Sequence, residues 1–196
     1  VLGQPTFTTH SLGNSEYHKD MVSADMDNDG DLDLVAVRHT DGDAVVWYEN
    51  DGSENFILRS ISSSISYSNG FDVVDLDKDG DLDVLIVGND GGSGQGYAIN
   101  DGSQNFTLYQ LTGVVIKSIK GSDIDQDGDI DIIAGHATGI KWFENTGFNS
   151  DGSGNFSVSD IYSASDVYAS KLIILDLDED GDLDIISDDY QYIDSD

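Results

Sequence analysis

The sequence predicts an all-β fold of four similar sheets, and three observations carry that prediction. First, a nine-residue acidic stretch of the form D-x-D-x-D-G-x-x-D recurs four times, beginning at Asp25, Asp75, Asp123 and Asp176. The chain therefore repeats about every 49 residues. Second, each copy sits among short apolar runs rich in β-branched residues, and no segment sustains a helical period. Third, Asp-Gly pairs at 51–52, 101–102 and 151–152 divide these runs. Asp-Gly favours tight hairpins because such turns need φ > 0. A period of this length suits one four-stranded propeller blade and far exceeds the roughly nine-residue repeat of calcium β-helices.

Four strands can be placed in each repeat. The first precedes the acidic stretch, at 21–24, 71–74, 119–122 and 172–175. The second follows it, at 32–37, 82–87, 130–134 and 183–186. The third carries aromatics, at 45–50, 97–100 and 140–145. There Trp47, Tyr97 and Trp142 share one repeat position and are expected between blades. The fourth starts at an Asn-Phe pair: Asn55-Phe56, Asn105-Phe106 and Asn155-Phe156. Residues 3–7 repeat the Gly-x-x-x-Phe spacing of 52–56, so the chain opens on a fourth strand. Residues 192–196 align with 47–51, so it ends before one. The N-terminal strand, 4–12, is expected to complete the last blade. Residues 1–196 then form a single four-bladed β-propeller domain. Closure buries strand edges that otherwise pair with other chains. The alternatives are a segment of a larger propeller, or half of a dimeric one. Oligomeric state is left open.

The formal charge is −31, from 39 acidic and 8 basic residues. Such a balance disfavours nucleic-acid phosphates and anionic membranes and favours cations. Cysteine is absent, which excludes disulfides and thiolate metal sites. The four histidines show no ligand spacing, and no run is long enough to insert in a membrane. The chain starts at Val1 and shows no signal peptide, so it is expected to be a mature or excised piece of a larger precursor.

The acidic stretches point to calcium. A hard cation takes six to eight oxygen ligands. Alternating aspartates let a short loop curl and turn positions one, three and five inward, and Gly at position six permits the sharp turn. These positions are Asp25, Asp27 and Asp29; Asp75, Asp77 and Asp79; Asp123, Asp125 and Asp127; and Asp176, Asp178 and Asp180. Position seven offers its backbone carbonyl, at Asp31, Asp81, Asp129 and Asp182. Position nine adds a carboxylate, at Asp33, Asp83, Asp131 and Asp184. Four calcium sites are expected. An EF-hand needs Glu at position twelve and a following helix. Position twelve is Ala36, Ile86, Ala134 or Ser187 and a strand-like run follows, so the EF-hand is rejected. Solvated acidic turns are the competing reading, but carboxylates this close repel one another without a cation.

These loops and the Asn-Asp-Gly-Ser-x-Asn-Phe turns resemble the FG-GAP/VCBS-type repeats of integrin α-subunit propellers and of many secreted bacterial proteins. The resemblance implies a calcium ion between the first two strands of each blade, held by the aspartates named above. It also implies an extracellular or cell-surface, secreted protein.

The metal loops and the Asp-Gly turns are expected on one face and any ligand on the other. Tyr17, Tyr67 and Tyr168 each stand eight positions before a metal loop, with Val115 at that place in the third repeat, and are expected to ring a channel mouth where aromatics stack on sugars. Packing at a strand start competes with that reading. Arg38-His39 is a basic pair on the same face, with a solvated loop as its plain alternative. The glycine-rich run 91–96 has no helix after it and carries no phosphate site. No nucleophile elbow or zinc-protease pattern occurs, so no catalytic residue is assigned. A non-catalytic calcium-stabilised binding or cell-adhesion module for a glycan or protein is the leading expectation. A propeller-type polysaccharide lyase or hydrolase is the first alternative. A purely architectural repeat of a larger surface protein is the second.

Overall fold

The computed structural model describes residues 6, 8–12, 17–38, 40, 42–53, 55–89, 94–164, 168–188 and 192–193. Among them there are strands and turns and no helix. The first sheet is β1 (His18–Ala24), β2 (Asp33–Arg38), β3 (Val45–Asn50) and β4 (Phe56–Ser62), in that spatial order. The second is β5 (Gly70–Val74), β6 (Asp83–Val87), β7 (Gly96–Asn100) and β8 (Phe106–Gln110). The third is β9 (Ile116–Ser122), β10 (Asp131–His136), β11 (Gly139–Phe148) and β12 (Gly154–Ser163). The fourth shows three strands: β13 (Leu172–Leu175), β14 (Asp184–Ser187) and β15 (Tyr192–Ile193). All neighbours pair antiparallel, as short hairpin connections require. The architecture is propeller-like.

The second and third strands of the first two blades are almost wholly buried on both faces, as in β6 and β7, whose blade packs against blade one on one side and blade three on the other. One apolar cluster joins blades one and two through Met26, Trp47, Val84 and Ile86. A second joins blades two and three through Leu76, Tyr97, Ile132 and Phe143. A third joins blades three and four through Ile133, Ile140, Leu172 and Ile185, with Trp142 packed against it. Trp47, Tyr97 and Trp142 thus serve the interblade packing expected of them.

The seam beside blade one differs. Ala36, Val46 and Tyr48 point away from blade two and are fully buried, with Leu12 packed against them. Nearer the metal loops the same side is open: Met21 is 47% and Leu32 61% exposed, as is Leu177 at 49% on blade four. In the expected N-terminal strand, Thr6 and residues 8–12 are described and lie outside any strand. The rest of that segment lies outside the described residues.

Boundaries match the prediction closely for β3 and β13. β1 begins three residues earlier than its apolar run, because backbone pairing continues through polar residues with a bulge between His18 and Asp20. β11 is longer than expected. Thr146 to Phe148 extend it, and Phe148 packs edge-on against Tyr97 and Phe156. The Asp-Gly turns need left-handed backbone, and Gly52 and Gly102 supply it at φ of 72° and 70°. A side chain there would strike the position-seven carboxylates Asp31 and Asp81.

Candidate metal centres

Each acidic loop joins the first strand of a blade to the second, and the Asp-Gly turn joins the third to the fourth at the same end. Loops and turns therefore share one face, as expected. Within each loop at least three carboxylates converge, their candidate ligand atoms lying within 4.8 Å of one another. The groups are Asp25, Asp27 and Asp29; Asp75, Asp77 and Asp83; Asp123, Asp125 and Asp127; and Asp176, Asp178 and Asp184.

Backbone amides set the curl. The position-one carboxylate accepts from the glycine N–H at position six in all four loops, at 3.0 Å for Asp25 and Asp123, 3.2 Å for Asp75 and 3.1 Å for Asp176. The position-five carboxylate accepts from the N–H of position seven at 2.8–2.9 Å. Position four has positive φ throughout, at Asn28, Lys78, Gln126 and Glu179.

Not every oxygen is used. Asp27 Oδ1, Asp75 Oδ1 and Asp123 Oδ1 are buried and have no hydrogen-bond partner among the described residues. A buried carboxylate oxygen without a donor is costly, and a cation removes that cost. The donor set is oxygen only, which selects a hard cation and not zinc or copper. The residues therefore fit a calcium-type ion. Burial and the neighbouring carboxylates push Asp27 and Asp77 above the usual carboxylate range. Burial drives Asp83 further, to about 7, against the hydrogen bonds that favour its ionised form.

Position nine does more than offer a ligand. Asp33 and Asp83 are fully buried and accept from two backbone N–H groups each. Oδ2 takes the position-two amide, Met26 or Leu76, at 2.9 Å. Oδ1 takes the last amide of the third strand, Asn50 or Asn100, at 2.8 Å. Asp131 Oδ1 accepts from Asn145 N–H at 2.8 Å, and Asp184 Oδ2 from Leu177 N–H at 2.8 Å. This carboxylate ties the loop to the body of its blade.

Two sets of residues absent from the sequence prediction link one loop to the next blade. At position four, Asn28 Nδ2 donates to Asp81 Oδ1 (2.7 Å), Lys78 Nζ pairs with Asp129 (2.6 Å) and Gln126 Nε2 donates to Asp182 Oδ1 (3.0 Å). The position-seven side chains thus turn toward the preceding blade, consistent with a carbonyl-only role toward an ion. At the end of the third strand, Asn100 Nδ2 donates to the Met26 carbonyl and Asn145 Nδ2 to that of Leu76, both at 3.2 Å.

On the opposite face, Tyr17, Tyr67 and Tyr168 are exposed at 72%, 37% and 48%, each near the start of a first strand. Lys117 Nζ lies 5.5 Å from the Tyr168 ring centroid. Arg38 is buried, with Nε and Nη2 donating to the Asp43 carbonyl at 3.0 and 2.7 Å, so it shapes its own loop. His39 and residues 91–93 lie outside the described residues.

The family model for the FG-GAP-like repeat matches residues 25–86 and 123–187. Among solved structures, the chain resembles a lectin from Agrocybe aegerita described for specific recognition of non-reducing terminal N-acetylglucosamine. The TM-score is 0.55 at 18% identity, over 87% of this chain and 47% of that one. The chain thus spans about half the length of that lectin. No curated protein matches the sequence.

Proposed function

Because the chain belongs to the FG-GAP-like repeat family, we propose that it is a non-catalytic, calcium-clamped binding module of an extracellular protein, with a glycan as its ligand. The observation that carries the calcium reading is the set of buried, unpartnered oxygens on Asp27, Asp75 and Asp123, each inside a converging carboxylate group. Positions one, three, five and nine of each loop would hold the ion, with the position-seven carbonyl. The ion supplies charge balance to loops that otherwise repel themselves, and so holds the first two strands of each blade together. The glycan reading is supported by likeness of fold to a lectin, which is an analogy. It is tested on a glycan array probed in calcium and again in excess chelator. Calcium-dependent retention of a defined set of glycans is the expected result. An array blank under both conditions contradicts it and favours an architectural repeat.

The ring is closed, in this reading, by the N-terminal segment lying over blade one, which the burial of Ala36, Val46 and Tyr48 beside Leu12 supports. The exposure of Met21, Leu32 and Leu177 makes this the weakest of the four seams. Glu179 also stands at position four of the last loop, where the other loops carry a donor to their neighbour. Removing residues 1–12 is expected to uncover apolar area worth about 2–4 kcal/mol and to lower Tm by several degrees. The intact chain should sediment as a monomer of 21.1 kDa. An unchanged melting curve for the truncated chain, or a dimer of the intact one, would contradict closure from within.

A further inference from the structure

The four acidic loops are not equivalent, because a buried chain of hydrogen bonds runs through three of them. In loop one, Met26 N–H donates to Asp33 Oδ2 at 2.9 Å. The Met26 carbonyl accepts from Asn100 Nδ2 of blade two at 3.2 Å, and Asn100 N–H donates to Asp83 Oδ1 of loop two at 2.8 Å. Asp83 Oδ2 accepts from Leu76 N–H at 2.9 Å, and the Leu76 carbonyl accepts from Asn145 Nδ2 of blade three at 3.2 Å. Asn145 N–H donates to Asp131 Oδ1 of loop three at 2.8 Å. Each of these residues is at most 3% exposed. The position-nine carboxylates of three loops are thus joined, through two asparagines, by bonds out of the reach of water.

Loop four stands outside this chain. By alignment Ser195 takes the place of Asn145 in the last repeat, so no side-chain amide is available there for loop three. On the other side, Asn50 holds the place that matches loop four. Its Nδ2 donates to the Leu32 carbonyl of its own blade at 3.2 Å and makes no bond to Leu177 among the described residues. Leu177 is half exposed, whereas its counterparts Met26 and Leu76 are fully buried. Gln126 does reach loop four, donating to the Gly181 carbonyl at 2.8 Å and to Asp182 Oδ1 at 3.0 Å. Both bonds are exposed, and water competes for them.

The loops differ in their oxygens too. Loops one, two and three each hold a buried carboxylate oxygen without a donor, on Asp27, Asp75 and Asp123, and loop four holds none among the described residues. Asp176 and Asp178 are exposed and so are hydrated in the empty loop. An ion relieves less there.

We propose that loops one, two and three bind calcium as one coupled set, and that loop four binds it separately and more weakly, as an exchangeable site. This deepens the calcium reading above and rests on it. The first ion in the coupled set fixes a position-nine carboxylate and a position-two backbone on which the neighbouring loop depends. Each later ion meets a network already ordered, which is positive cooperativity. The exchangeable site is the one beside the weakest seam.

The test is equilibrium dialysis of the intact chain against buffered free calcium, counting the ions bound per chain. Three ions taken up in one steep step, and a fourth at a free calcium at least about fivefold higher, are expected. Two matched substitutions of exposed position-five carboxylates separate coupling through the network from general stabilisation. Asp127→Ala in loop three should raise the calcium needed to fill loops one and two at least about fivefold. Asp180→Ala in loop four should remove the weak ion and leave the steep step where it was. Asn145→Ala keeps the backbone amide, takes away the donor to Leu76 and should split the steep step. If that variant does not fold, the two aspartate variants decide. Four ions bound independently or all in one step, equal shifts from Asp127→Ala and Asp180→Ala, or a step left whole by Asn145→Ala overturn the inference while leaving the calcium reading intact. No uptake of calcium at all removes both.

Discussion

Asp83→Ala is expected to be the most damaging single substitution in the chain, costing about 2–6 kcal/mol of stability. Its carboxylate is fully buried and accepts from Leu76 N–H and Asn100 N–H. Alanine leaves both amides without an acceptor, at about 1–3 kcal/mol each. That is a large part of the 5–15 kcal/mol that holds a typical domain together. Asp83→Asn keeps one acceptor oxygen and should lose about half as much. Asp79→Ala removes an exposed position-five carboxylate, whose amide partner Asp81 N–H can turn to water, and should act mainly through calcium. Urea unfolding of the three variants separates these effects, and an Asp83→Ala midpoint equal to wild type would contradict the anchoring role.

The same carboxyl gives the chain a pH dependence whose sign depends on calcium. Without metal, burial raises the folded-state pKa of Asp83 from the ordinary 3.8 to about 7. The folded state then holds the proton more tightly than the unfolded one. The stability so gained is present at low pH and is lost as pH rises through 7, with a slope of up to about 1.4 kcal/mol per unit. With calcium the cation competes for the same oxygens, and stability should rise with pH over that window.

Much of this was legible in the sequence, and the reason is local. The metal loops and β3 announce themselves because ligand spacing, strand alternation and the Asp-Gly turn are all short-range patterns. The interblade links are different. Asn28, Lys78 and Gln126 occupy one repeat position with three unlike side chains, and share only left-handed backbone and reach to the next loop. Asn50, Asn100 and Asn145 do repeat visibly, but two of their partners, the Met26 and Leu76 carbonyls, lie on another blade. Arg38 reads as a surface cation because it ends a strand, and is buried because second strands are covered on both faces. A cavity at the inner strands is lined from all four blades, so only the way the blades pack together brings its residues to one place.

The central claim is that the acidic loops are calcium clamps on which the fold depends, and the melting temperature in chelator tests it most directly. A cation bound to the folded chain alone stabilises it by about 2.7 kcal/mol per site when present at a hundred times its Kd. In a domain of this size each kcal/mol moves Tm by roughly 2–4 °C. One site is therefore worth about 5–10 °C, and four together are comparable to the whole stability of the domain. Excess chelator should lower Tm by at least about 20 °C, or unfold the chain outright at room temperature. Calcium should restore the original curve. Magnesium should restore little, since it keeps its water and demands octahedral geometry. Superimposable melting curves in calcium and in chelator would contradict the account.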